Sequence, residues 1–255
     1  NITPDSFSDG GEYNEPEKAL SRVNQFLEEG VDLIDIGAQS TRPGAEIIGA
    51  EEELNRLIPC MNLIRQTFPN IIISVDTFHS TVAKKALNKG ANWVNDISGG
   101  RLDPNMHKII SELGCPYVLT HSRGNSKTMN KLTTYKDLII DVKHELNFYT
   151  DLAIEAGISP GNIIWDPGIG FAKTTRQNIE ILKNLESFTK DSFPVLIGPS
   201  KKRFIGDVLE LSNTKERIWG TAAVISRCVQ GNVSIVRVHD VQIASYIINM
   251  TKLIF

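Results

Sequence analysis

The sequence has little of what would take it outside ordinary globular chemistry. Its three cysteines, Cys60, Cys115 and Cys228, are far apart and odd in number, which excludes both a disulfide framework and a CxxC metal or redox site. A reducing compartment follows, the cytoplasm or, after removal of a targeting segment, an organelle. Neither sign of charge is in surplus: 27 Lys and Arg face 30 Asp and Glu, interspersed, for a net charge of -3. That leaves no footprint for a polyanionic nucleic acid. No apolar run approaches the roughly 18 residues that cross a bilayer, and no signal-peptide pattern opens the chain. No linker, charge block or low-complexity stretch divides it, so residues 1–255 read as one domain. The first residue is not methionine, and NITPDSFSDGG reads as a loop with no strand before it, so a strand is expected upstream of Asn1.

What is present is a regular alternation. Apolar, β-rich runs at 31–36, 71–75, 93–95, 117–120, 163–165, 195–197 and 235–238 predict seven strands. Amphipathic segments lie between them, among them 16–29, 51–67, 81–89, 135–156, 215–229 and 241–252. Gly30, Gly90, Gly114, Gly157 and Gly231 each follow a helical pattern, where a left-handed residue ends a helix. Strict alternation of strand and helix implies a parallel sheet with right-handed crossovers, closed or open. Seven strands plus one before Asn1 make eight, which favours a closed (β/α)8 barrel.

Polar residues gather just after the strands, where barrel enzymes keep their chemistry. They are Asp35 with Gly37, Asp76 with Thr77, Asn95 with Asp96, His121, Asp166, Ser200 to Lys202, and Arg237 with His239. Asp, Asn, Ser and Thr are also the preferred helix caps. Capping is the preferred reading for Asp96, Thr77 and Asp240 and a lesser one for Asp76. It does not require DPGIGF at 166–171, where a proline and two glycines fix an unusual backbone behind a carboxylate.

Seven phrases together resemble one family: NITPDSFSDGG at 1–11, DIGAQSTRPGA at 35–45, SVDT at 74–77, NDISGG at 95–100, DPGIGF at 166–171, GPSKKRFIG at 198–206 and RVHDV at 237–241. They occur, in order and from end to end, as in the dihydropteroate synthases. The resemblance implies a single pterin-binding (β/α)8 TIM-barrel domain and a transferase of folate biosynthesis. The reaction it implies joins a 7,8-dihydropterin methyl diphosphate to 4-aminobenzoate, releasing diphosphate. It also implies a homodimer packed through late helices, and sulfonamides as competitors of 4-aminobenzoate.

Residue by residue, the resemblance gives Asp76, Asn95, Asp166 and Lys202 to the pterin, with Asp76, Asp166 and Lys202 as catalytic groups. Carboxylates and a carboxamide suit the paired donors of a flat ring, and a fixed carboxylate stabilises positive charge as the leaving group departs. Thr41, Arg237 and His239 match the diphosphate site. Thr41, Arg42, Pro43, Phe171, Ser200 and Lys202 match the 4-aminobenzoate pocket. Asn1 matches the residue whose amide oxygen helps to hold magnesium (Mg2+) on the diphosphate. Loops 3–14 and 38–49 match mobile lids. Lys201 stands where arginine is common, and HSRG at 121–124 has serine where methionine is often seen. The polar loop 122–134 has no assigned role.

Two other readings compete. A corrinoid-linked methyltetrahydrofolate methyltransferase shares a pterin-reading barrel but has no use for an arginine–histidine diphosphate site or the STRPG loop. A non-catalytic pterin-binding module would keep the fold without turnover.

Overall fold

The structure is a computed structural model that describes residues 1–2, 15–40 and 44–255. Among the described residues there are seven strands: β1 (Leu33–Ile36), β2 (Ile72–Asp76), β3 (Trp93–Asp96), β4 (Tyr117–Thr120), β5 (Ile163–Asp166), β6 (Leu196–Ile197) and β7 (Ile235–Val236). Each pairs in parallel with the next from β1 to β5, and β6 pairs with β7. Trp165 bridges Val195 and joins the two sheets. The helices are α1 (Glu15–Glu28), α2 (Ala50–Thr67), α3 (Ser80–Asn88), α4 (Met106–Leu113), α5 (Leu138–Glu155), α6 (Thr175–Lys183), the short α7 (Glu186–Thr189), α8 (Arg203–Leu209), α9 (Ile218–Gln230) and α10 (Val241–Ile254).

The strand array curls until its ends face each other. Arg237, just past β7, donates from Nε to Asp35 Oδ2 on β1 at 2.6 Å, across 202 residues of sequence. Outside, the start of α10 meets the segment just past α1: the Gln242 N–H donates to the Glu29 carboxylate at 3.2 Å, and Arg22 Nη2 of α1 donates to the His239 carbonyl at 3.3 Å. Ile2 donates its N–H to the Gly37 carbonyl at 2.8 Å, which sets residues 1 and 2 at the end of β1, within electrostatic reach of Arg237. This is the TIM-barrel arrangement.

Strand period decides which side chains face inward. Val118, Ile164 and Leu196, with Trp93 and Ile235 packed on them, form a small interior cluster. Two residues further along the same strands come Thr120, Asp166, Gly198, Asn95 and Arg237. The alternate positions, Ile34, Ile73, Val94, Leu119, Ile163, Trp165 and Ile197, belong to the large outer core between strands and helices. Alternation therefore places the polar strand ends directly above an apolar plug.

In the outer layer, Trp165 is 1 % exposed, stacks on Phe193 with ring centroids 5.0 Å apart, and donates from Nε1 to Thr150 Oγ1 at 2.8 Å. Thr150→Val should keep the shape and orphan that indole donor. A loss of about 1–3 kcal/mol is expected, read from urea unfolding.

The helix stops follow the sequence reading at Gly30, Gly90, Gly114 and Gly157, all with positive φ. Gly231 departs from it: its φ is -83°, and the left-handed residue is Asn232 at 56°. Asn tolerates that region, and the glycine is needed for room instead, since a Cβ there would meet Leu185 Cβ at 3.0 Å. The capping reading of Asp240 also fails. It precedes α10 without a side-chain cap, because its carboxylate is held by Lys201 Nζ at 2.8 Å. Helix α6 starts with a capping box, Thr174 with Gln177.

Loop 3–14, expected as a lid, lies outside the described residues, as do Thr41, Arg42 and Pro43. The rest of loop 38–49 is tied down. Gln39 donates to the carbonyls of Ser40 and Glu46 and accepts from the Ile48 N–H, while Ser126 bonds Gly44 and Ala45 through its carbonyl and hydroxyl. Loop 122–134 thereby gains a role that its sequence did not suggest, as a platform for that flank.

Candidate active site

At the mouth, the inward residues of β1, β2, β3 and the end of β7 form one network. Arg237 donates to Asp35 and, from Nη2, to Asp76 Oδ2 at 3.2 Å; Asn95 Nδ2 donates to Asp35 Oδ2 at 3.1 Å. Asp76 and Asn95 are register partners, so they sit side by side. Burial and the neighbouring Asp35 push the Asp76 carboxyl up to about 7, against the pull of Arg237. Burial alone would lower Arg237, but the two carboxylates outweigh it and hold the guanidinium charged. Asp35 Oδ1, Asp76 Oδ1 and Thr120 Oγ1 are buried without a hydrogen-bond partner. Such atoms cost about 1–3 kcal/mol each unless a ligand completes them.

Asp166 ends β5 beside this network. Its Oδ1 accepts the Gly168 N–H at 2.7 Å, and burial raises its pKa while Lys202 opposes the rise. Lys202 donates to the Ile169 carbonyl, its Nζ lies 4.9 Å from the centroid of the Phe171 ring, and burial lowers its pKa to about 8. Its stem runs against Gly170, where a Cβ would meet Lys202 Cδ at 3.0 Å. Phe171 also borders a small cleft that runs between Gln39, Ser40 and Ile47 on one side and Arg123 and Ser126 on the other.

On the other flank, His239 Nδ1 lies 2.9 Å from Ser200 Oγ. Burial, then Arg237, lower His239 to about 4, so the ring is neutral at pH 7 with Nε2 unengaged by Ser200. β7 ends at Val236, two residues before the expected end, so Arg237 and His239 stand in the loop beyond the strand. Asn1 is placed beside them through the Ile2 bond to Gly37.

The capping reading of Asp96 fails as well, because its carboxylate braces the turn at 96–100 and the next helix starts only at Met106. It accepts the N–H groups of Ser98 and Gly100 and the Tyr117 hydroxyl, at 2.7 to 2.9 Å. Thr77 Oγ1 likewise accepts the His79 N–H at 3.1 Å, ahead of α3.

The structure thus brings Asp76, Asn95, Asp166, Lys202, Phe171, Ser200, Arg237 and His239 to one mouth, with Asn1 adjacent. It adds Asp35, whose position at a strand end was visible in the sequence but whose pairing with Arg237 was not. It also adds a buried carboxyl behind Asp76. Glu53 of α2 is fully buried, with the Thr77 hydroxyl beside it and His79 Nε2 3.8 Å away.

Burial pushes the Glu53 carboxyl from its ordinary 4.5 up to about 7. The folded state therefore binds the proton more tightly than the unfolded chain, so this share of stability is full below pH 4.5 and is lost as pH rises to 7. The loss is on the order of 3 kcal/mol. Glu53→Gln should remove it, leaving thermal unfolding between pH 5 and 8 flatter than in the parent.

A barrel mouth that sets an arginine and a histidine beside carboxylates and a carboxamide suits a heterocycle bearing an anionic group. Comparison narrows the class. A family described as pterin binding enzyme matches residues 1–239. The dihydropteroate synthase of Synechocystis sp. is 47 % identical over 242 residues, 95 % of this chain and 83 % of that one. The folic acid synthesis protein fol1 of Pneumocystis carinii is 46 % identical over 94 % of this chain, but the chain spans only 33 % of that longer protein. Among solved structures, the Xanthomonas albilineans dihydropteroate synthase with 4-aminobenzoic acid superposes with a TM-score of 0.93 at 35 % identity, covering 100 % of this chain and 90 % of that one. The chain belongs to the dihydropteroate synthase family of pterin binding enzymes.

Proposed function

We propose that this chain joins 6-hydroxymethyl-7,8-dihydropterin diphosphate to 4-aminobenzoate, giving 7,8-dihydropteroate and diphosphate. The observation that carries this reading is the convergence of Asp35, Asp76, Asn95, Asp166, Lys202 and Arg237, drawn from five strand ends and the loop after β6, on one buried mouth.

The unpartnered carboxylate oxygens of Asp35 and Asp76, with Asp166 and the Asn95 carboxamide, are acceptors for the amide-like N–H and amino groups of the pterin edge. Lys202 supplies a donor to its carbonyl. The C–O bond to diphosphate breaks with its electron pair on oxygen. Charge developing on the pterin is stabilised by Asp76 and Asp166, already fixed and desolvated. The amine nitrogen then forms the new C–N bond and passes its proton to the departing diphosphate or to water. Phe171 and the Lys202 stem give the arylamine an apolar wall, with Ser200 at its floor.

Arg237 and His239 receive the diphosphate. A hard cation suits the same place. The protein there offers a carboxamide, Asn1, rather than a cage of carboxylates, which fits magnesium carried mainly by phosphate oxygens and water. When bound, magnesium would neutralise charge on the leaving group.

Incubation with both substrates and magnesium should yield dihydropteroate and diphosphate in equal amounts. Methyl transfer to a cobalamin protein, or pterin binding without product, would favour one of the competing readings. The apolar faces of α9 and α10, packed together through Thr251 and Ser226, expose Trp219 at 79 % and Leu253 at 85 %. That surface supports a homodimer. Trp219→Glu with Leu253→Glu should halve the mass seen by light scattering.

A further inference from the structure

The turn after β5 is held by a polar chain that the reaction does not consume. Gly168 and Gly170 have φ of 74° and 85°, and Ala172, which carries a side chain, has 46°. A left-handed alanine costs about 1 kcal/mol and persists only where its surroundings over-determine it. Asn178 Oδ1 accepts the Gly170 N–H at 2.7 Å, and the Tyr135 hydroxyl donates to the Ala172 carbonyl at 3.0 Å.

The remaining hold is Lys173. Its buried ammonium donates to the carbonyls of Gly168 and Phe171, each at 3.2 Å, and lies 2.9 Å from His121 Nδ1. Three acceptors match the three hydrogens of a charged lysine. His121 can accept there because Nε2 lies 3.1 Å from Glu145 Oε2 and donates to it. Burial, then Lys173, lower His121 to about 3, so the ring is neutral and keeps that tautomer. Burial alone would raise Glu145, but hydrogen bonds from His121 and Arg123 outweigh it and hold its carboxyl down at about 2. An ionised carboxylate at the surface end thus sets the direction of every hydrogen bond down to the turn.

Building on the pterin-reading role of Asp166, we propose that Lys173 is a positioning residue. Held by His121 and Glu145, it locks the 166–171 turn so that Asp166 faces the pterin as an ionised carboxylate and Phe171 stays against Lys202. The groups facing Lys173 are Asp166, which favours its charge, Lys202 and Arg123, which oppose it, and Glu145, which favours it. Burial lowers the lysine to about 7, so its charge is available to Asp166 from neutral pH downward and opposes the rise that burial gives that carboxyl.

The test is calorimetric binding of 6-hydroxymethylpterin between pH 5 and 8 to the parent, Lys173→Met and Glu145→Gln, with thermal unfolding as a check on folding. Lys173→Met should bind about tenfold more weakly at pH 7, and the acid limb of its affinity should move up by about one pH unit, because Asp166 loses a neighbouring positive charge. Glu145→Gln, changed outside the pocket, can reverse the His121 tautomer and should weaken binding by about threefold in the same direction, on the order of 0.6 kcal/mol. It carries the test alone if Lys173→Met does not fold. A folded variant with the parent's affinity and acid limb, or one weakened equally at every pH, overturns the positioning role. Failure of the parent itself to bind the pterin would instead strike the function proposed above.

Discussion

Asp76→Ala should lose about a thousandfold in turnover while remaining folded. Asp76 is buried and carries a raised pKa, so the fold bears a cost in keeping it, and its removal relieves repulsion with Asp35. What disappears is a fixed negative group at the place where positive charge develops, together with one of two anchors of Arg237. Asp35 still holds Arg237 through Nε, so the guanidinium stays in the mouth and the diphosphate side is largely spared. The deficit should therefore appear in kcat more than in KM for 4-aminobenzoate. Asp76→Asn, keeping shape without charge, should fall between the two. Turnover of Asp76→Ala within threefold of the parent would contradict the role assigned to this carboxylate.

Gly168→Ala should be the most damaging alanine substitution among the described glycines. A Cβ there would lie 1.9 Å from the His121 carbonyl oxygen, a backbone atom, and the residue's φ of 74° is hostile to any side chain. Neither partner is free to retreat. The Gly168 N–H is bound to Asp166, its carbonyl to Lys173, and His121 donates its own N–H to the Asp166 carbonyl at 2.8 Å. A destabilisation of at least ~3 kcal/mol is expected, together with loss of measurable pterin binding, because Asp166 moves with the turn. Chemical denaturation and calorimetry read the two effects separately. By contrast, Gly44→Ala meets nothing within 4 Å and should be far milder, despite a similar φ of 83°.

Much of this is legible in the chain because barrel physics is local. β-branched runs between glycine-ended helices predict the strands, and a period of two then forces Asp76, Asn95 and Asp166 inward at their ends. What was not legible depends on contacts between distant segments. Asp35 sat in plain view near the end of β1, but only closure of the barrel brings Arg237 to it across 202 residues. Lys173, two residues past Phe171, looks like any solvated lysine. Its burial is set by His121 and Glu145, from a different strand and helix. Gly231 shows the reverse error, in which a glycine placed to end a helix is needed for room beside Leu185 while Asn232 makes the left-handed turn.

The most direct test of the account is a crystal structure of the protein with 6-hydroxymethylpterin, magnesium and diphosphate. The pterin should lie within hydrogen-bond distance of Asp76, Asn95, Asp166 and Lys202, with diphosphate against Arg237 and His239. A pterin seated away from the ends of β2, β3 and β5, or a diphosphate held without Arg237 and His239, would contradict it.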